Sequence, residues 1–201
     1  DTATTEIYTL SLHDALPIYP LQAMHWTCCT RTARLARAAA SACTEAAGVR
    51  MAAPTTSHRK ALARRRQQLM QAAGDGSILI LPAAPERIRS RDTHYPYRQD
   101  SDFWYLTGCA EPDAVLVLVP GRKHGEAILF CRERDPEREG WDGPRLGPDG
   151  AVELLGMDDA YPISDIDDIL PGLLEGRRRV HYHLGRDADF DLTLIGWLNR
   201  V

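Results

Sequence analysis

The 201-residue chain contains no apolar run near the ~20 residues that a membrane-spanning helix requires. It has no large charge excess either: the net charge is −4, so neither a nucleic-acid nor a membrane partner is expected. Its five cysteines fall into no zinc or disulfide spacing, since Cys28 and Cys29 are adjacent and Cys109 and Cys131 stand alone in apolar stretches. A reducing, cytoplasmic setting is the expectation. Several catalytic signatures are missing. There is no G-x-S-x-G elbow and no H-E-x-x-H helix. The one glycine-rich candidate, GDGS at 74–77, follows a helix and precedes a strand, the reverse of the order that turns a helix N-terminus toward phosphate. Neither Cys109 nor Cys131 is an obvious thiolate nucleophile, and both read as small core residues. By themselves these residues contain no complete active site.

Residues 1–50 lack steady periodicity, turn chemistry and matched strands, and they do not form a secretory signal. EIYTLSLHDALPI, residues 6–18, matches the translation of a common sequencing adaptor residue for residue. These fifty residues are therefore expected to be a non-native or disordered leader outside the fold, with Met51 as the native start and residues 51–201 as one domain.

From Met51 onward the pattern is regular. Ser57 precedes a helical run that ends at Gly74 and Gly76. Arg64, Arg65 and Arg66 within it suggest either nucleic-acid contact or a solvated face, and the acidic remainder of the domain favours the solvated face. SILILP (77–82), FWYLTG (103–108), AVLVLVP (114–120), EAILFC (126–131) and RRVHYHL (178–184) read as strands. Pro120-Gly121 should join the third and fourth of these as an antiparallel hairpin. DGAVELLG and ISDIDDILPGLLEG read as helices, the second capped by Ser164 or Asp165, and a further helix is capped from the Asp187–Asp191 region. Together these predict an α/β fold with a mixed sheet flanked by helices.

Three stretches could carry chemistry. HYHLGRDADFD (181–191) offers His181, His183, Asp187 and Asp189 as N/O ligands for Zn or Mn, or else an edge strand followed by helix-capping aspartates. YPYRQDSDFWYLTG (95–108) gathers five of the fourteen aromatic residues beside Arg98, Asp100 and Asp102. Arg98 is expected to pair with one of those carboxylates and staple a turn ahead of the strand that Gly108 closes. Trp141 stands in a charged Gly/Pro-rich loop, where a tryptophan either anchors the loop or meets a partner.

RRRQQLMQ, PERIRSRDTHYPYRQDSDFWYLTG, EPDAVLVLVPG and EGWDGPRLGPDGA occur in the order and spacing of the amino-terminal domain of Xaa-Pro aminopeptidases, which residues 55–200 resemble. The YRQDSDFWYLTG string is the most specific part. The resemblance implies a mixed sheet flanked by helices. It also implies a separate carboxy-terminal domain that holds two metal ions, usually manganese, on two Asp, one His and two Glu. There a metal-bridging hydroxide cleaves the first peptide bond when proline is second. That domain lies beyond the region of resemblance, so the chain alone is expected to be inactive, with no catalytic residue and no metal of its own. The amino-terminal domain is expected to contact its own catalytic domain and neighbouring subunits, and to border the substrate cleft. Position by position, Trp141 is then a candidate apolar wall for an Xaa-Pro peptide. Asp92 is a candidate partner for a cleft arginine or a substrate amine, and both would act on a neighbouring subunit. Arg98, Asp100, Asp102 and Gly108 are signature residues of structure. Two alternatives share the resemblance: a prolidase, and a non-catalytic protein-binding module such as the peptidase-like subunits of histone chaperones.

Overall fold

The computed structural model describes residues 6–8 and 55–201. Its centre is a six-stranded mixed sheet in the order β1-β8-β2-β5-β6-β7. The strands are β1 (Glu6–Tyr8), β2 (Ser77–Pro82), β5 (Val115–Leu118), β6 (Ala127–Cys131), β7 (Asp159–Pro162) and β8 (Arg179–Tyr182). Strands β3 (Ile88–Ser90) and β4 (Thr93–His94) form a separate exposed ribbon. β2, β5 and β6 are antiparallel neighbours, whereas β8 pairs parallel with β2 and β7 parallel with β6. The expected β5–β6 hairpin is present. Asp158 closes it by accepting from the backbone N–H groups of Glu126 and Ala127 at 2.9 Å each.

The middle strands read as unbroken apolar runs because both their faces are covered. On one face Leu79, Leu116, Leu118 and Leu129 pack under α1 (Thr56–Ala73), α2 (Ser101–Thr107) and α4 (Gly147–Leu155). On the other, Ile78, Ile80, Val117, Phe130 and Val180 pack under α5 (Ile166–Leu174) and α6 (Ala188–Leu198), with Trp197 in the centre. Alternate residues of β2 thus serve opposite cores, as the two-residue period of a strand demands. A last helix, α3 (Pro136–Asp142), lies outside both layers.

Several expectations need correction. FWYLTG is the body of α2 rather than a strand. Asp100 caps it, its side chain accepting from Asp102 N and Phe103 N, and Gly108 ends it in the left-handed conformation. Phe103, Leu106 and Thr107 are the buried residues, and their three- and four-residue spacing is that of a helix face. Trp141 stands on α3 and not in a loop, because Asp135-Pro136 supplies an N-cap followed by a first-turn proline. Thr55, rather than Ser57, caps α1. Glu6–Tyr8, set aside with the leader, pairs parallel with Arg179–His181 at the sheet edge. An open edge strand presents unpaired N–H and C=O groups that any extended segment can meet. The remaining leader residues lie outside those described.

The arginine run is corrected too. Arg66 is 3% exposed, and it donates from Nη1 to Leu106 O at 3.0 Å and from Nη2 to Gly156 O at 2.6 Å. Arg65 donates to Tyr105 O at 2.9 Å with its guanidinium 4.0 Å above the Tyr105 ring. Two of the three arginines therefore satisfy the carbonyls that α2 leaves open at its C-terminus, where the helix dipole also favours a cation.

Candidate functional site

The signature segment is tied down chiefly through Tyr97, Gln99 and Asp100. Tyr97 donates its hydroxyl to Ala84 O at 2.9 Å, and burial pushes the phenol pKa up. Gln99 is the pivot. Its Oε1 accepts from Ala84 N at 2.8 Å and Asp100 N at 2.9 Å, while its Nε2 donates to Glu111 O at 2.8 Å. The ion-pair partner of the carboxylates is Arg186 and not the expected Arg98. Arg186 Nη1 lies 2.5 Å from Asp100 Oδ2, and Nη2 lies 3.6 Å from Asp102 Oδ2. The turn after β8 carries Arg186 back to the start of α2, a long-range meeting that local spacing does not reveal. Arg98 is exposed and lines an open cleft of about 430 Å³ with Arg87, Tyr95, Pro96 and Arg186.

The 181–191 stretch follows its capping reading. Asp187 caps α6, accepting from Asp189 N at 3.1 Å and Phe190 N at 3.2 Å. Asp191 accepts from the Tyr182 hydroxyl at 2.7 Å and from Gly185 N at 2.9 Å. His181 is buried, and burial followed by the nearby Arg179 charge lowers its pKa. His183, in contrast, is exposed. Among the described residues no group of three or more His, Cys, Asp or Glu side chains is placed to hold a metal ion. The two manganese ions that the resemblance implies therefore have no ligand set among these residues. Burial raises the Cys109 thiol to about 11 and the Cys131 thiol to about 12, which disfavours the thiolate that a nucleophilic role would need.

The two cleft candidates stand on separate excursions. Asp92 lies in the turn between β3 and β4, next to Arg91 at φ 51°, and both are exposed. Trp141 is 92% exposed on α3. Sequence reasoning missed a buried carboxylate at the base of this second excursion. Glu111 is 8% exposed, and its Oε1 accepts from Leu146 N at 2.6 Å. Its only sequence signal is a carboxylate immediately before Pro112, at the edge of a buried strand.

The profile of the aminopeptidase P N-terminal domain matches residues 62–182. The chain belongs to this family. Xaa-Pro aminopeptidase of Escherichia coli K12 is 44% identical over 144 residues, which cover 71% of this chain and 33% of that protein. Xaa-Pro aminopeptidase 3 of Homo sapiens is 40% identical over 126 residues, covering 61% and 25% respectively. Among solved structures, Pseudomonas aeruginosa aminopeptidase PepP superposes with a TM-score of 0.70 at 62% identity, over 71% of this chain and 32% of that one. A substrate complex of an E. coli aminopeptidase P variant gives 0.68 at 45%, with the same coverage. The chain thus spans about a third of the length of these bacterial relatives, and the match is to their N-terminal domain. The expected mixed sheet flanked by helices is the fold of that domain.

Proposed function

We propose that residues 51–201 form the substrate-cleft and assembly domain of a cytoplasmic, manganese-dependent Xaa-Pro aminopeptidase, and that the chain alone hydrolyses no peptide. The observation that carries this reading is the pairing of a domain match to Xaa-Pro aminopeptidases with a tryptophan left 92% exposed on a capped helix. A large aromatic held out in solvent by ordered backbone is suited to meet a partner surface or ligand. Trp141 would provide an apolar wall for the proline-containing end of the substrate. Asp92, on the exposed ribbon, would pair with a cationic group of a neighbouring subunit or with the substrate amine. The metals, when bound, would supply the nucleophilic hydroxide from the domain that follows.

The test compares this chain with a polypeptide extended to the length of its relatives, both assayed on an Ala-Pro peptide with added manganese. The longer protein should release the first residue, and the chain alone should not. Hydrolysis by the chain alone, or none by the extended protein with metal loaded, overturns the reading. Preference of the extended protein for dipeptides would make it a prolidase. Stable capture of a protein partner by residues 51–201, with no hydrolysis by the extended protein, would indicate a binding module.

A further inference from the structure

The segment 132–147 leaves the sheet after β6, carries α3 and Trp141 through solvent, and returns to begin α4. Its two stems converge on a single buried carboxylate. On the exit stem, Leu146 is 7% exposed and donates its backbone N–H to Glu111 Oε1 at 2.6 Å. On the entry stem, Arg132 Nη2 lies 3.9 Å from Glu111 Oε2. The stems also touch each other: a Cβ on Gly147 would stand 2.6 Å from Arg134 Cγ, at a φ of +68° that favours glycine. The backbone carbonyl of Glu111 accepts from Gln99 Nε2, so the same residue joins the signature segment to this excursion.

We propose that Glu111 is the positioning residue for Trp141: its carboxylate closes the base of the 132–147 excursion from both stems and so sets where the indole stands. That Trp141 meets a substrate rests on the function proposed above; that Glu111 sets its place does not. A buried carboxylate accepting a backbone N–H beside a guanidinium gives a stronger, more directional tie than an apolar contact. It also gives a tie that responds to protonation. The charged groups around Glu111 are Arg132 and Arg145, which favour its ionised form, and Glu139, which opposes it. Cys109 and Cys131 also adjoin it, and both are neutral thiols. Burial outweighs these and raises the Glu111 pKa above the ordinary carboxylate value. Because the raised pKa means that the closed excursion holds the Glu111 proton more readily than an opened, solvated one, acidification should favour the closed state, and the excursion should loosen as pH rises through that pKa.

Amide hydrogen exchange on the 201-residue chain tests this, with rates corrected for intrinsic pH dependence. E111A should accelerate exchange at Leu146 and through 133–146 by roughly ten- to a hundredfold, the range set by losing a charge-assisted hydrogen bond. Protection in β5 and β6 should change much less. D158N, which weakens the β5–β6 closure instead, serves as the control and should not open 133–146 selectively. E111Q keeps an acceptor oxygen and the side chain's shape but cannot ionise. Leu146 should then stay partly protected, and the loosening of 133–146 expected of wild type as pH rises through the Glu111 pKa should be absent. Uniform acceleration across the sheet in E111A, or unchanged protection at Leu146, overturns the proposal. If E111A does not fold, the E111Q series decides: a pH dependence equal to wild type overturns it. These outcomes hold whether or not any peptide is hydrolysed, so a failure here is separable from failure of the proposed function.

Discussion

Residues 95–108 and residues 132–147 are the two most distinctive stretches of the chain, and their chemistry is turned in opposite directions. The first holds five aromatic residues and three charges and spends much of this chemistry on its own fold, although Tyr95, Arg98 and Trp104 stay exposed. Phe103 and Leu106 enter the core, Asp100 caps α2, and Gln99 bridges three backbone groups. The second is mostly charged, is tied down at its base, and holds its single aromatic out in solvent. A specific sequence can therefore mark scaffold, while a plain-looking charged segment presents the most exposed large aromatic among the described residues.

That contrast can be broken in order of effect. R66M keeps the aliphatic stem but strands the Leu106 and Gly156 carbonyls, and should lower stability by about 3 kcal/mol in urea unfolding, since each buried unpaired group costs about 1–3 kcal/mol. G108A follows. At φ +69°, and with its Cβ 3.0 Å from Leu62 Cδ1, it should cost about 1–2 kcal/mol, the usual penalty for a left-handed non-glycine residue. D100A removes the α2 cap and the Arg186 pair, and should cost about 1 kcal/mol. W141A should change stability by less than about 0.5 kcal/mol, because a surface truncation removes little packing. A loss of several kcal/mol in W141A, or none in R66M, would erase the distinction.

The smallest effect concerns pH. His181 lies in the scaffold, and its folded pKa is lowered below 6.5. The folded state then binds fewer protons than the unfolded one, so the His181 contribution is present above pH 6.5 and declines as pH falls below it. The Glu111 contribution has the opposite sign, being fully present below the ordinary carboxylate value of 4.5 and declining as pH rises through its raised pKa. Unfolding of H181N across this range should show less acid sensitivity than wild type. An unchanged slope would remove His181 from the account.

Much of the fold was legible because the sheet strands are apolar runs bounded by turn residues. SILILP, AVLVLVP and EAILFC each occupy the expected place, and Asp187 caps the expected helix. FWYLTG failed as a strand because six residues hold too few repeats to separate a period of two from one of 3.6. The cap at Asp100 and the stop at Gly108 decided it. Arg98 was the natural local partner for Asp100, but the sheet returns Arg186 from 86 residues away, and no local pattern reports such a contact. The arginine run looked solvated for the same reason. Its targets are the end carbonyls of α2 and α4, which exist only once those helices have formed. Trp141 was legible as an exposed aromatic in a charged segment, whereas Glu111, whose carboxylate meets Leu146 N and lies near Arg132, was hidden by an unremarkable Glu-Pro pair.

The most direct measurement pairs unfolding with peptide hydrolysis for D100A and W141A in the polypeptide extended to the relatives' length. The account predicts that D100A lowers Tm with little change in KM once folded. It predicts that W141A leaves Tm in place and raises KM for an Xaa-Pro peptide about tenfold, equivalent to ~1.4 kcal/mol of binding. Unchanged hydrolysis by W141A, or a D100A variant of normal Tm with weakened substrate binding, would contradict it.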